Sequence, residues 1–253
     1  MRLDVFLCEK KLCKSRSAAQ SLIKSGGVFV NGKAAKSSLD VSDTDDIAIT
    51  GEQPRYVGRG GLKLEKALEL WRFDLHGSVC VDIGASTGGF TDCMLQNGAK
   101  RVFAVDVGRD QLAEKLRADC RVISLEQTDI RDFSLPEGVA ADFIGTDVSF
   151  ISLKLVLPHI YRLLKDGGAA VALIKPQFEA GRKNLNKKGI VRSESARLKS
   201  VKEIGEFAVL CGFSVIGTEQ SPITGGDGNV EYLLALGKES KGADKGFDRL
   251  QHG

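Results

Sequence analysis

The sequence predicts an α/β protein: a mostly parallel, doubly wound sheet of seven strands with an antiparallel edge strand, preceded by a small α+β unit. Three observations predict it. From Ser78 onward, short apolar runs alternate with helical stretches, the pattern of strand–helix–strand crossovers. The last two runs, Phe213–Thr218 and Glu231–Leu236, are joined by the glycine-rich loop SPITGGDGN with no helix between them, which makes a hairpin. Residues 1–52 carry a separate pattern, followed at 53–60 by a linker in which Pro54, Gly58 and Gly60 break any periodicity.

The first unit opens with Leu3, Phe6 and Leu7 at helical spacing. A second helix has Ser15 as its N-cap and Ala18, Ala19, Leu22 and Ile23 as its apolar stripe, and Gly26-Gly27 ends it. Val28-Phe29-Val30 then runs into Asn31-Gly32, a tight-turn pair, and Ile47-Ala48-Ile49 closes the unit. Residues 1–36 hold eight basic side chains against Asp4 and Glu9, a bias that suits phosphate contact. On charge alone a solvated face is the commoner meaning.

In the larger unit, expected at 61–238, Leu62, Leu64, Ala67, Leu68 and Leu70 define an amphipathic helix ending near Trp71. Strands are expected at Val79–Gly84, Arg101–Val107, Arg121–Leu125, Asp142–Val148 and Ala169–Lys175, with helices at Thr87–Gln96, Ile151–Leu164 and Ser193–Cys211. Residues 239–253 are polar and glycine-rich and are expected to be a disordered tail.

Bulk properties bound the function. The 253 residues are 42% hydrophobic and 27% charged, ordinary for a globular protein of one or two domains. The six cysteines include no CxxC pair and have no histidine at ligand spacing, so free thiols in a reducing compartment are expected and no metal. The N-terminus lacks the apolar core of a signal peptide and no run reaches the length of a membrane span. A cytoplasmic protein without a membrane partner is expected, and a membrane-lytic activity is not.

The stretch VCVDIGASTGGF, Val79 to Phe90, is a buried strand running through a glycine loop into a helix. By itself it has three meanings. Gly84-Ala85-Ser86-Thr87-Gly88 is literally a G-x-S-x-G nucleophile elbow, but only His76, His159 and His252 are available, and none is placed to complete a triad. A nicotinamide-binding loop would need glycine where Ser86 stands. The third meaning, the cofactor loop of an S-adenosylmethionine methyltransferase, has the pattern D-x-G-x-x-x-G-G at Asp82–Gly89. Acids at successive strand ends, Asp82, Asp106 and Asp129, favour it, since carboxylates there accept hydrogen bonds from a ribose and an adenine edge. The cofactor contacts expected are Asp82, Gly84, Ser86, Gly88, Gly89, Phe90, Asp106, Val107, Asp129, Ile130 and Asp147.

Lys175 closes the buried run Ala169–Ile174, where neither a core nor a solvated role suits a lysine. Asp147 ends the strand before it, Glu231 opens the last strand and Lys63 begins the first helix, so Lys63, Asp147, Lys175 and Glu231 are candidates to converge. Transfer of an activated methyl group to a ribose hydroxyl needs mainly positioning and a base. A lysine can be that base if a second cation and partial burial lower its pKa; carboxylates oppose that shift and would instead orient it.

Two resemblances cover residues 1–236. RLDVFLCEKKLCKSRSAAQSLIKSGGVFVNGK resembles the S4 RNA-binding domain, which implies an RNA surface around Arg2, Lys14, Ser15, Arg16, Gln20, Lys24 and Asn31. The four candidates match the K-D-K-E tetrad of the FtsJ-like ribose 2′-O-methyltransferases. With the RGG-x-KL, VDIGASTGGF, DVSFISL, IKPQFE and GIVR segments, the whole chain resembles the TlyA, or hemolysin A, family. That resemblance implies a Rossmann-like class I methyltransferase fold, S-adenosyl-L-methionine as cofactor and ribosomal RNA or ribosomal subunits as partner. It further implies methylation of a cytidine 2′-oxygen with Lys175 as base. A non-catalytic RNA-binding or assembly factor is the alternative.

Overall fold

The structure is a computed structural model that describes residues 1–13, 15–24, 26–50, 55–225 and 228–240. Lys14, Pro54 and the tail beyond 240 lie outside the described residues, as does the side chain of Lys24. The chain divides into two compact units, Met1–Gly58 and the residues from Arg59 on.

In the first unit, α1 (Leu3–Glu9) and α2 (Arg16–Lys24) pack over β1 (Val28–Val30), which pairs antiparallel with β2 (Lys33–Ala34) and β3 (Ile47–Ile49). Leu3, Leu7, Ala19, Leu22 and Val28 fill its core. Ser15 does cap α2: its Oγ accepts a hydrogen bond from Ala18 N at 3.2 Å. Asn31 and Gly32 have φ of 51° and 75°, the left-handed pair that joins strands with right-handed twist. The Asn31 amide fastens that turn by donating to Asp45 Oδ1 at 2.8 Å and accepting from Asp46 N at 2.9 Å.

The second unit begins with α3 (Gly60–Trp71) and continues through β4 (Val79–Ile83), α4 (Gly89–Gln96), β5 (Arg101–Val105), α5 (Glu114–Arg117) and β6 (Val122–Leu125). After β7 (Ala141–Thr146) come a 3-10 turn at Leu153–Leu155, α6 (Leu157–Leu163), β8 (Leu164–Ile174) and α7 (Pro176–Glu179). The unit closes with α8 (Glu194–Leu210), β9 (Phe213–Gln220) and β10 (Tyr232–Lys238). The seven strands stand in the order β6-β5-β4-β7-β8-β10-β9. Strands β4 to β8 are mutually parallel, and β10 runs antiparallel to both neighbours, one place in from the edge strand β9. The core on the sheet is aliphatic, with Val81, Ile83, Ile144, Ala170, Ala172 and Leu234 all nearly or fully buried. Each buried branched side chain there contributes about 1.5–3 kcal/mol.

Several element ends differ from the sequence reading by one or two residues, as where β5 stops at Val105 rather than Val107, and two boundaries differ by more. The helix expected over Ile151–Leu164 is broken before α6, because Pro158 lies in its first turn, where its missing N–H is harmless but a continuous helix through it is not possible. Strand β8 starts at Leu164 rather than Ala169, since Leu164 already pairs with Ala141 of β7. Among the described residues no helix is long and apolar enough to cross a membrane.

Candidate active site

The strand order reverses between β4 and β7, and the crevice beyond their carboxyl ends is where such sheets bind ligands. Parallel strands deliver their last residues to that edge: Asp147 follows β7 and Lys175 follows β8. An antiparallel strand delivers its first residue to the same edge. Tyr232, opening β10, pairs with Ile174, closing β8, so Glu231 and Lys175 are brought side by side. Lys63 comes from the first turns of α3, on the helix's buried stripe with Leu64, Ala67 and Leu68.

These four side chains form one chain of ion pairs. Lys175 Nζ lies 2.6 Å from Asp147 Oδ1 and donates to Ser149 Oγ at 2.8 Å. Lys63 Nζ donates to the other oxygen of the same carboxylate, Asp147 Oδ2, at 3.2 Å and lies 2.7 Å from Glu231 Oε2. Lys63, Lys175 and Glu231 are 7%, 8% and 3% exposed. Charges so deep persist only when paired. One carboxylate therefore holds both ammonium groups, one on each oxygen, while the second carboxylate fixes that of Lys63.

The group opens into a cleft of about 440 Å³. Arg59, Lys188 and Gln177 line its polar side, and Phe150 and Phe178 stand at it as a tilted pair with centroids 5.2 Å apart. Phe150 is 91% exposed and holds a φ of 64°, a conformation a large side chain rarely adopts. Sequence reasoning missed Ser149, Phe150 and Phe178 as site residues. DVSF and KPQF did carry them, but nothing local marks an aromatic as exposed.

Around the glycine loop, Gly84 (φ 80°) must be glycine, because a Cβ there would come 2.7 Å from the Asp147 carbonyl oxygen. Ser86 also takes a left-handed φ of 49°, and its N–H donates to Asp106 Oδ2 at 2.7 Å. Asp106 Oδ1 accepts from Gly108 N at 2.6 Å, so this carboxylate ties two loops together and still has lone pairs to offer. Val107, beside it, is 71% exposed. Other expected contacts are less open. Phe90 and Ile130 are buried in the core, and Gly88 and Gly89 are buried at the start of α4. Asp129 is gripped by Arg131 at 2.9 and 2.6 Å, which holds its carboxyl down to about 2. Asp82 is fully buried behind the loop, accepting from Thr91 N at 2.9 Å and Thr91 Oγ1 at 2.6 Å. Burial pushes it up to about 7 against those two bonds.

Asp106, with lone pairs still to offer beside the glycine loop, suits the hydroxyls of a ribose-bearing cofactor. Asp106 and Val107 lie open beside the loop, and Asp147 follows β7 at the same sheet edge.

In the first unit, Arg2, Arg16 and Gln20 converge on one buried carboxylate, Asp4. Arg2 Nε and Arg16 Nε reach it at 3.0 Å each and Gln20 Nε2 at 2.6 Å, holding its carboxyl well below the usual range. Both guanidinium groups remain about half exposed beyond that contact. Asp4 was read only as a charge; its burial is what gathers the basic side chains.

The fold and the site define an S-adenosylmethionine-dependent methyltransferase joined to an S4 domain. The FtsJ-like methyltransferase model matches residues 56–238 and the S4 domain model matches residues 1–47, and the chain belongs to the FtsJ-like methyltransferase family. It is 39% identical, over 99% of its own length and 96% of the other's, to the 16S/23S rRNA (cytidine-2′-O)-methyltransferase TlyA of Mycobacterium tuberculosis. A solved structure of a candidate hemolysin from Streptococcus thermophilus is 47% identical, covering 94% of this chain and 88% of that one, with a TM-score of 0.75. An S-adenosylmethionine-dependent methyltransferase from Mesorhizobium loti shares the fold alone, at 15% identity over 72% of this chain and 100% of that one, with a TM-score of 0.52.

Proposed function

We propose that this protein methylates a ribose 2′-oxygen of ribosomal RNA, at cytidine, with Lys175 as general base and the first unit as an RNA grip. The observation that carries the reading is the buried chain Lys175–Asp147–Lys63–Glu231 at the carboxyl edge of the sheet. The cytidine and the ribosomal substrate rest on the name of the M. tuberculosis relative.

When bound, S-adenosylmethionine supplies an activated, electrophilic methyl group. The protein's own residues supply the rest. Lys175, as the neutral amine, takes the proton of the attacking 2′-hydroxyl. Asp147 and Ser149 fix its Nζ from two sides, so the amine has one orientation toward the cleft. Lys63 holds the other oxygen of Asp147 and so fixes the carboxylate against which Lys175 is oriented. Glu231 holds Lys63 in place. The Phe150 face is open for stacking with a base drawn out of the RNA, and Arg59 and Lys188 suit its phosphates. In the first unit, Arg2 and Arg16, steadied by Asp4, present fixed guanidinium groups to the RNA backbone.

The test is to offer a labelled methyl donor to separated ribosomal subunits and to their naked RNA, then map the modified ribose. Label on a cytidine 2′-oxygen is expected. Cofactor binding without transfer to any RNA would make the protein a non-catalytic binding factor, and label on a base would overturn the mechanism.

A further inference from the structure

Glu126 stands just beyond β6, away from the ion-pair chain, and its role is not explained by the fold alone. Its two carboxylate oxygens accept three consecutive backbone N–H groups, from Asp110 at 2.9 Å, Gln111 at 2.7 Å and Leu112 at 2.9 Å. Arg117 lies 3.5 Å from Oε1, the oxygen that accepts from Gln111 and Leu112. The three main-chain donors lower the pKa of the acid, the Leu112 N–H most strongly. The segment these bonds fix, 107–112, is the loop that leaves Asp106.

At 110–112, where Asp110 carries a left-handed φ of 51°, Glu126 is the acceptor for all three main-chain N–H groups, while Arg117 assists by donating to Leu112 O at 3.3 Å and pairing with Asp110 Oδ1 at 3.8 Å. The base of the loop is tied to the turn after β6: Gln127 N donates to Gly108 O and Thr128 N to Asp106 O, both at 2.9 Å. Its far end is tied to the glycine loop. Ala113 N donates to Thr87 O at 3.2 Å, and Leu112 packs so closely on Gly88 that a Cβ there would lie 2.8 Å from Leu112 Cδ1. Glu126 therefore holds, through the backbone it grips, both Asp106–Val107 on one side and the Thr87–Gly88 turn on the other.

We propose that Glu126 is a positioning residue for the cofactor, keeping the 107–112 loop in the shape that lets Asp106 and Val107 receive the adenosine. The inference rests on the placement of adenosine at Asp106. Without the carboxylate, three N–H groups lose their acceptor and the loop must be ordered again at each binding event, a cost that falls on affinity and not on the chemical step.

The experiment measures S-adenosylmethionine binding by calorimetry, steady-state methyl transfer with both substrates varied, and amide hydrogen exchange at 110–112 in cofactor-free protein. E126Q keeps the side-chain volume but presents one acceptor oxygen and one donating amide NH2 to three donors. It is expected to bind the cofactor about tenfold more weakly, with faster exchange at 110–112, while kcat at saturating cofactor and KM for RNA stay within about twofold. E126D, which keeps the charge on a shorter arm, is expected to fall between E126Q and the natural protein, and it also serves if E126Q folds poorly. Unchanged affinity in E126Q overturns the inference, as does a fall in kcat with affinity intact. D106A separates the two readings: if D106A weakens binding and E126Q does not, only the role of Glu126 is wrong. If neither weakens binding, the adenosine placement fails with it.

Discussion

Replacing Lys175 separates a base from a mere cation. Its ammonium contacts Asp147 Oδ1 at 2.6 Å and Ser149 Oγ at 2.8 Å, and the side chain is 8% exposed. In K175A the Asp147 carboxylate is not orphaned, because Lys63 still holds its other oxygen at 3.2 Å. The fold then loses one charged hydrogen bond and some aliphatic packing, about 2–3 kcal/mol, and a unit of this size loses roughly 4–12 °C of melting temperature. Turnover falls much further. A positioned general base is worth about a hundredfold to ten-thousandfold, roughly 3–5 kcal/mol of barrier. K175R sharpens the test, since arginine keeps the charge, reach and Asp147 contact but does not give up its proton. Both variants are therefore expected to transfer methyl groups at least about a hundredfold more slowly while binding S-adenosylmethionine normally. The assay is labelled methyl transfer to ribosomal RNA under single-turnover conditions, with calorimetric cofactor binding and thermal unfolding in parallel. Near-natural single-turnover rates in K175R would refute the base assignment and leave only a role for positive charge.

Four further outcomes follow from the same geometry. E231Q leaves buried Lys63 with a single charged partner and a neutral amide in place of the second, so a stability loss of about 3 kcal/mol is expected in denaturant unfolding, together with lower turnover; an unchanged midpoint would mean the charge of Glu231 is dispensable. For Asp82 the sign is the reverse of the usual carboxylate: raised to about 7 when folded, against about 4 unfolded, it favours the fold at acid pH and loses that contribution as pH climbs from 4 to 7. D82N should therefore gain melting temperature relative to the natural protein over that range and hold a constant difference above it, read from thermal melts at a series of pH values. F150A is expected to raise the KM for RNA about tenfold or more, the loss of one base stack of roughly 1–3 kcal/mol, with calorimetric cofactor affinity unchanged; equal RNA affinity would remove the stacking role. Finally, R2A and R16A should each lower the slope of log K against log salt for RNA binding by about one, and a salt slope that does not move would place the RNA elsewhere.

The sequence by itself determined the architecture, because the evidence for it is local and periodic. Alternating apolar runs and helices dictate a parallel sheet, a glycine loop between the final runs dictates an antiparallel pair, and an acid at each strand end marks the ligand edge. It also singled out Lys175, since a lysine closing a buried strand contradicts its surroundings unless it has a task. What it left undecided is whatever depends on which elements become neighbours. Only the insertion of β10 between β8 and β9 sets Glu231 beside Lys175, and only the packing of α3 turns Lys63 inward to share Asp147. Asp4 and Glu126 look in sequence like two more surface acids. Their roles, gathering Arg2, Arg16 and Gln20 around a buried carboxylate in one case and three backbone N–H groups around a half-buried one in the other, exist only once the fold has brought those partners together. Residue type and spacing carry the potential for a charge or a hydrogen bond; the enclosed geometry that makes it strong is a property of the tertiary fold.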